Sequence, residues 1–357
     1  MKVLDLFSGG GGFSIGLSTA GFDVYGYEWK DDIVDHAKGN GLNTVKANVF
    51  SDNFVATTPD DIFMIVGGPP CQPFSQGNKR GRGADDERNG IDAFLNIVEK
   101  KQPLYFIMEE APTLTWKKHR DYLEQIRLKI KTMGYHHVLK VCDMSYFCVP
   151  QKRKRTIVVG SKFPLDLDFL KDETMSHLPI SAVLSKQEIE AVHILPEGEI
   201  VNRNFNNTVQ NGENKISRYS KKVAERVYYN YEWTEKQKLN ARILKFNQPS
   251  LTLSITSLKA TSVAAMPNNA SRFAFRTDGE KKDLLLFLDN RKKECLNPDV
   301  IQRPLTVHEM RRIQTFPDTY CFKSRKMAET IIGNSVPPMF ARILAKRVLD
   351  HYHSCSI

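Results

Sequence analysis

The chain has 357 residues, 41% of them hydrophobic, which is enough for one large domain or two modest ones around a buried core. No segment has the roughly 18 consecutive apolar residues of a membrane span, the start MKVLDLF is not a secretory signal, and the six cysteines contain no CxxC pair, so a cytoplasmic protein without metal or disulfide framework is expected. The net charge of +10 is uneven: residues 1–200 hold 24 Lys+Arg against 27 Asp+Glu (net −3) and residues 201–357 hold 27 against 14 (net +13), so a polyanion would be gripped mainly by the second half, although a solvated basic surface has the same composition.

KVLDLF reads as a strand ending in the glycines Gly9 to Gly12, and FSIGLSTAGF as a helix with Phe13, Leu17 and Ala20 on one face. DVYGYEW, IFMIVGGPP and LYFIMEEAP read as further strands separated by helical stretches, and TIVVG, after the basic QKRKR, as one more. Strands alternating with helices give an α/β fold with a mostly parallel, doubly wound sheet. From about residue 163 the pattern turns irregular and rich in Asn, Ser and Lys, as in NRNFNNTVQNGEN, and reads as a second, smaller domain. Pro337 and Pro338 open a final helix with Phe340, Ile343, Leu344 and Val348 on one face.

Chemistry concentrates at the strand ends. Glycines between a first strand and a helix let backbone approach a nucleotide-like ligand closely, and they also serve as plain turn residues. Glu28 ends the second strand, where its carboxylate would take both hydroxyls of a ribose while Trp29 stacks on an adenine; an ordinary strand-end glutamate beside a core tryptophan has the same spelling. In GGPPCQPFSQ two prolines stiffen the backbone and present Cys71 at a strand end. A thiol with a pKa of about 8.5 is only a few per cent thiolate at neutral pH, so useful attack needs an activating site. Glu109, Arg153 and Arg155 stand at strand ends that such a sheet brings to the same crevice.

With these residues in place the chain resembles the cytosine-5 DNA methyltransferase family from residue 3 to about residue 349, with the motifs in the family's order. DLFSGGGGFSIGL is similar to its cofactor motif, GGPPCQPFS to its nucleophile motif, MEEAPTL to its glutamate motif and VPQKRKRTIVVG to its arginine motif; RPLTVHEMRRIQTFPD and GNSVPP are similar to its two C-terminal motifs. The resemblance implies a class I methyltransferase fold using S-adenosylmethionine, with Phe7, Ser8, Gly9, Gly10, Gly12, Glu28, Trp29, Asn48, Val49, Pro69, Asn334 and Ser335 at the cofactor. It implies that Asn334 and Ser335 sit at the start of the C-terminal helix, which packs back beside the first strand. It also implies a mechanism in which Cys71 adds to carbon 6 of a cytosine flipped out of double-stranded DNA, making carbon 5 nucleophilic. Glu109 would then act at N3 and the amino group, and Arg155, with Arg153 nearby, at O2, where charge develops. FSQGNKRGRGADDERNG would be the loop that closes over the base.

On this resemblance residues 1–165 with 328–357 form the catalytic domain and 166–327 the target-recognition domain, in which Pro249-Ser250-Leu251-Thr252 is similar to a Pro-Ser-x-Thr segment of the family. The expected partners are double-stranded DNA and, for a monomeric restriction-modification enzyme, a cognate endonuclease. A tRNA-methylating branch of the family and a catalytically dead DNA-binding regulator are the alternatives. Three positions depart from the family pattern: Glu110 replaces the Asn of Glu-Asn-Val, Ala47-Asn48-Val49 replaces Gly-Asp-Ile, and Cys148 replaces a common glycine.

Overall fold

A computed structural model describes residues 1–70, 89–184, 243–244, 249–253, 274–275 and 307–355. The elements in chain order are β1 (Lys2–Leu6), α1 (Gly12–Thr19), β2 (Asp23–Glu28), α2 (Asp31–Gly39), β3 (Thr44–Lys46), β4 (Ile62–Gly67), α3 (Gly90–Lys101), β5 (Tyr105–Glu110), α4 (Arg120–Thr132), β6 (His136–Asp143), β7 (Gln151–Lys152), β8 (Lys154–Ser161), β9 (Ile243–Leu244), β10 (Ser250–Leu251), β11 (Ala274–Phe275), α5 (Val307–Ile313), α6 (Arg325–Asn334) and α7 (Pro338–Cys355). The chain divides into two compact units, one of Met1–Cys148, Arg153–Met175 and Ser335–Ile357, the other of Val149–Lys152 and Ser176–Asn334. Cys71 and the glycine-rich stretch after it, and most of the expected recognition region, lie outside the described residues.

The first unit is built on a seven-stranded sheet of order β3-β2-β1-β4-β5-β8-β6. β1, β4 and β5 are apolar runs buried along almost their whole length, as strands covered on both faces require. The pairs β1/β2, β1/β4, β2/β3 and β4/β5 are parallel, whereas β8 runs antiparallel to both neighbours. Only the ten residues 144–153 separate β6 from β8, too few for the crossover of a dozen or more that parallel neighbours need. The reversal puts the amino end of β8 at the carboxyl edge of the parallel strands, and the register pairs Glu109 with Ile157 and Glu110 with Thr156.

Side chains alternate across the sheet. Phe106 and Met108 of β5 join Phe94, Leu95, Leu123 and Ile126 of α3 and α4 in one core. Tyr105, on the opposite face, meets α7: its hydroxyl donates to His351 Nδ1 at 2.8 Å, while His351 Nε2 lies 2.9 Å from the Pro164 carbonyl. A carbonyl only accepts, so in the neutral ring the proton sits on Nε2 and leaves Nδ1 for the tyrosine. Tyr352 packs edge-on to Phe63 with centroids 5.1 Å apart. α1 meets α7 closely at Gly16, where a Cβ would overlap the Pro338 carbonyl and the Ala341 Cβ. The expected return of the C-terminal helix to the first strand's layer is thus observed within this unit.

Cys148 has φ +56°. The left-handed region costs a residue with a Cβ roughly 1–2 kcal/mol and costs glycine nothing, which accounts for the glycine the family commonly places here. Cys148→Gly is expected to raise unfolding stability by about 0.5–1 kcal/mol in denaturant melts, less than the full strain because glycine also gains entropy in the unfolded chain, while Cys148→Ala should bring no gain. A glycine variant less stable than the alanine variant would contradict the strain account.

Candidate active site

The strand order reverses between β1 and β4, and in an open α/β sheet ligands bind at the carboxyl ends flanking such a switch point. Beyond β1 the chain turns through three residues with positive φ, Phe7 (+58°), Gly9 (+53°) and Gly11 (+82°). A phenylalanine in this conformation stores strain of the kind found where a backbone is shaped for a ligand. Asp5 holds the start of α1: its Oδ2 accepts from Ser14 N at 3.0 Å and Ser14 Oγ at 2.6 Å. Burial pushes the Asp5 carboxyl up to about 7 against the pull of those bonds. Neither Asp5 nor Ser14 was singled out by the sequence, although the aspartate stands inside the DLF motif.

Glu28 is buried at the carboxyl end of β2, with Oε2 accepting from Gly9 N at 3.1 Å and Oε1 from Trp29 N and Lys30 N at 3.0 Å each. Three of a carboxylate's roughly four acceptor positions are taken by backbone. This differs from a glutamate free to take two hydroxyls: the position left is on Oε2. Trp29 is 66% exposed, so it is no core residue, and Lys30 Nζ lies 5.9 Å from its ring centre. Asn48 is exposed with Oδ1 accepting from Phe50 N at 3.1 Å, and Val49 is buried. Phe50, which sequence reasoning missed, meets Phe7 edge-on at 5.8 Å, so an aromatic pair stands over the glycine turn. Ser8 N donates to the Tyr27 carbonyl, while Ser8 Oγ is buried with no partner among the described residues.

β4 continues into Gly67, Gly68, Pro69 and Pro70, the stem that leads to Cys71. The first residue of α3 closes on it: a Cβ on Gly90 would lie 2.5 Å from Pro70 Cδ and 3.0 Å from Pro69 Cβ. A Cβ on Gly68 would lie 3.1 Å from Glu109 Oε2, so the stem and the end of β5 are in contact through a residue that must stay small. Glu109 Oε1 is 2.7 Å from Arg155 Nε, with the two side chains 11% and 22% exposed. The contact is an ion pair by distance, not an aligned hydrogen bond. Of the two expected arginines only Arg155 makes it; Arg153 is buried to 1% exposure, and its carbonyl accepts from Met144 N.

Glu110 is fully buried and, by strand alternation, faces the α3/α4 side. Its Oε2 accepts from Ala111 N at 3.2 Å, and Oε1 has no hydrogen-bond partner among the described residues. Burial, and then the charge on Glu109, push its carboxyl well above the usual range. Near it, Tyr122 Oη accepts from Asn89 Nδ2 at 2.7 Å and donates to Asp92 Oδ1 at 3.3 Å, while Asn89 Oδ1 caps α3 through Ile91 N.

Of the two C-terminal positions, Ser335 is buried beside the glycine turn, since a Cβ on Gly12 would lie 3.1 Å from Ser335 Cβ. Asn334 is exposed as the last residue of α6, which corrects its expected place at the start of the C-terminal helix; α7 begins only at Pro338, the first position where a missing N–H costs nothing. In the second unit, Ser250–Leu251 pairs in parallel with Gln151–Lys152, Thr252 Oγ1 donates to Lys152 O at 2.6 Å, and the buried Gln151 receives Leu253 N at 2.9 Å and donates to Gln314 at 2.6 Å. The Pro-Ser-x-Thr segment is thereby tied to the start of VPQKR and to the RPLTVHEMRRIQTFPD motif through two glutamines the sequence reading left out. Among the described residues no cluster of His, Cys, Asp or Glu is placed to hold a metal, and no helix is long and apolar enough to cross a membrane.

A mostly parallel seven-stranded sheet with one reversed strand near its edge, carrying a glycine turn after β1 and a carboxylate after β2, is the class I S-adenosylmethionine-dependent methyltransferase fold. Over residues 1–350 the chain matches the C-5 cytosine-specific DNA methylase family, and it belongs to that family. Methylation of cytosine in DNA at carbon 5 is accordingly its activity. Type II methyltransferase M.AplI of Arthrospira platensis is 28% identical, with 98% of this chain and 85% of the relative covered. M.MthTI of Methanothermobacter thermautotrophicus is 26% identical, with 98% and 97% covered. Among solved structures the S. pombe Dnmt2 methyltransferase superposes with a TM-score of 0.64 at 15% identity, covering 100% of this chain and 99% of that one. A putative DNA modification methyltransferase from an E. coli prophage gives 0.56 at 20% identity, covering 99% of each. At these identities the two structures speak for the fold alone.

Proposed function

We propose that the chain methylates a cytosine flipped out of double-stranded DNA through a covalent adduct at Cys71, within a specific sequence. The observation that carries this reading is the Glu109–Arg155 ion pair at the carboxyl edge of the sheet, held against Gly68 on the stem that leads to Cys71. Adding a thiolate to carbon 6 sends electron density to N3 and O2 of the base. A carboxyl group at N3 and a guanidinium at O2 are the partners that stabilise it, provided both are placed beforehand. Arg155 orients Glu109, and Gly90 closes on the Pro69-Pro70 stem that precedes Cys71 in the chain.

The residues present fit S-adenosylmethionine. Glu28 keeps an acceptor position for a ribose hydroxyl, Trp29 and the Phe7–Phe50 pair offer exposed aromatic surface for an adenine, Ser8 Oγ is an unused donor, and Ser335 lies beside the turn at Gly12; Gly9, Gly10, Asn48, Val49 and Pro69 join the proposed set on the family resemblance. When bound, the cofactor supplies the methyl group. Asn334 and Arg153 complete the proposed set on the family resemblance. Residues 1–165 with 328–357 would form the catalytic domain and 166–327 the target-recognition domain. By analogy with the type II relatives, pairing with a cognate restriction endonuclease is the working context, and on the family resemblance the enzyme is read as a monomer.

Bisulfite sequencing of DNA from a host expressing the chain tests the reading: one cytosine context should resist conversion throughout the genome. Random or absent protection, with methyl transfer to tRNA in its place, would overturn it.

A further inference from the structure

The half of the chain that carries the catalytic groups is net acidic, yet one short segment in it is strongly basic. Directly after β5 and Glu109 the chain makes two successive 3-10 turns, Pro112–Thr115 and Lys117–His119, before α4 begins at Arg120. Thr113 and Leu114 are buried, Thr156 Oγ1 donates to the Ala111 carbonyl at 3.1 Å, Trp116 N to Thr113 O at 3.1 Å and His119 N to Trp116 O at 2.8 Å. The segment is therefore pinned, and what it displays is displayed in a fixed place. Trp116 is 44% exposed, with Lys118 Nζ 5.7 Å from its ring centre, and Lys117 and Arg120 are exposed beside them. No carboxylate of the described residues forms an ion pair with these three cations, although Asp121 is next in the chain.

We propose that Lys117, Lys118 and Arg120, with Trp116 as their apolar shoulder, grip the phosphate backbone of duplex DNA beside the target nucleotide, as a contact made by the catalytic unit itself. The proposal rests on the reading that duplex DNA is the substrate. Its geometry follows from the chain: Glu109 is to hold the flipped base, the basic turn starts eight residues further on at the same edge of the sheet, and the backbone of a flipped nucleotide must pass close to the group that holds its base. Unpaired cations carried on a pinned backbone at that edge release condensed counterions when they meet phosphates. Burial and then Lys118 lower the pKa of His119, so it is not counted with the three cations. The patch counts as three cations.

The test is the salt dependence of duplex binding by the full chain, from 50 to 300 mM KCl, for the wild type, a K117A/K118A/R120A triple variant and a K38A/K100A/K131A control. The control removes the same net charge from the last turns of α2, α3 and α4, at the opposite edge of the sheet. With about 0.9 counterions released per phosphate contact, the triple variant should lower the log-log slope by about 2 to 3 and weaken binding at least tenfold at 100 mM salt, with an unchanged melting temperature. The control should move the slope by less than 1. A triple variant with the slope of the wild type, or of the control, would overturn the proposal while leaving the duplex reading intact. A wild type with a flat slope on duplex DNA and a steep one on RNA would remove the reading and this contact together.

Discussion

Replacing Cys71 by serine is expected to lower methyl transfer by more than about a thousandfold, to the floor of the assay, while duplex binding stays within about threefold of the wild type. A thiol with a pKa near 8.5 is a few per cent ionised at neutral pH, and the thiolate is a strong nucleophile. A serine hydroxyl has no comparable ionised fraction at neutral pH and is the weaker nucleophile. The basic residues that would hold DNA are untouched by the change. A duplex with fluorine at carbon 5 of the target cytosine adds a direct readout, because that carbon then has no proton to lose and the adduct cannot resolve. The wild type should stay attached to it through denaturing electrophoresis and the serine variant should not. Normal turnover by Cys71→Ser, or a fluorinated duplex that traps neither protein, would sink the covalent mechanism.

What could be read in advance depended on how local the signal was. β1, β2, β4 and β5 stand out because they are apolar runs ended by Gly, Pro or charged residues. β3 and β6 escaped: one has three residues with two exposed, and the other is a half-buried edge strand rich in His and Lys whose pattern no period-2 reading isolates. The reversed direction of β8 follows from the short 144–153 connection only once β6 is known to be a strand. Glu28, Glu109 and Arg155 were legible as strand-end charges, and the structure adds what each touches. The backbone donors that occupy Glu28, the Gly68 approach to Glu109 and the Gln151–Gln314 bond between residues 163 positions apart are tertiary facts with no local spelling. Cys148 was visible as a departure from a family glycine, but the reason for the glycine is a φ of +56° that only coordinates reveal.

The two adjacent glutamates give the sharpest division of roles. Glu109→Gln should cut the methylation rate by about 10²–10⁴, the usual worth of a positioned acid-base group, since an amide can neither take up and hold a proton at N3 nor pair with Arg155. Glu110→Asn, which restores the family residue, should keep the rate within about tenfold, or about 1.4 kcal/mol in the barrier, because Glu110 faces the other side of β5 and bonds the Ala111 amide. Its effect should appear in stability instead. Ionising a fully buried carboxyl with an unpartnered oxygen beside Glu109 costs several kcal/mol, so its pKa in the folded chain lies well above its unfolded value of about 4.3. Between those two pKa values the folded state binds more protons than the unfolded one, so the contribution of Glu110 to stability is full below about pH 4.3 and declines as pH rises toward the folded pKa. Denaturant melts at a series of pH values should show that decline in the wild type and a flatter profile in Glu110→Asn. If Glu110→Asn damages turnover as much as Glu109→Gln and leaves the pH profile of stability unchanged, the two glutamates have been assigned the wrong way round.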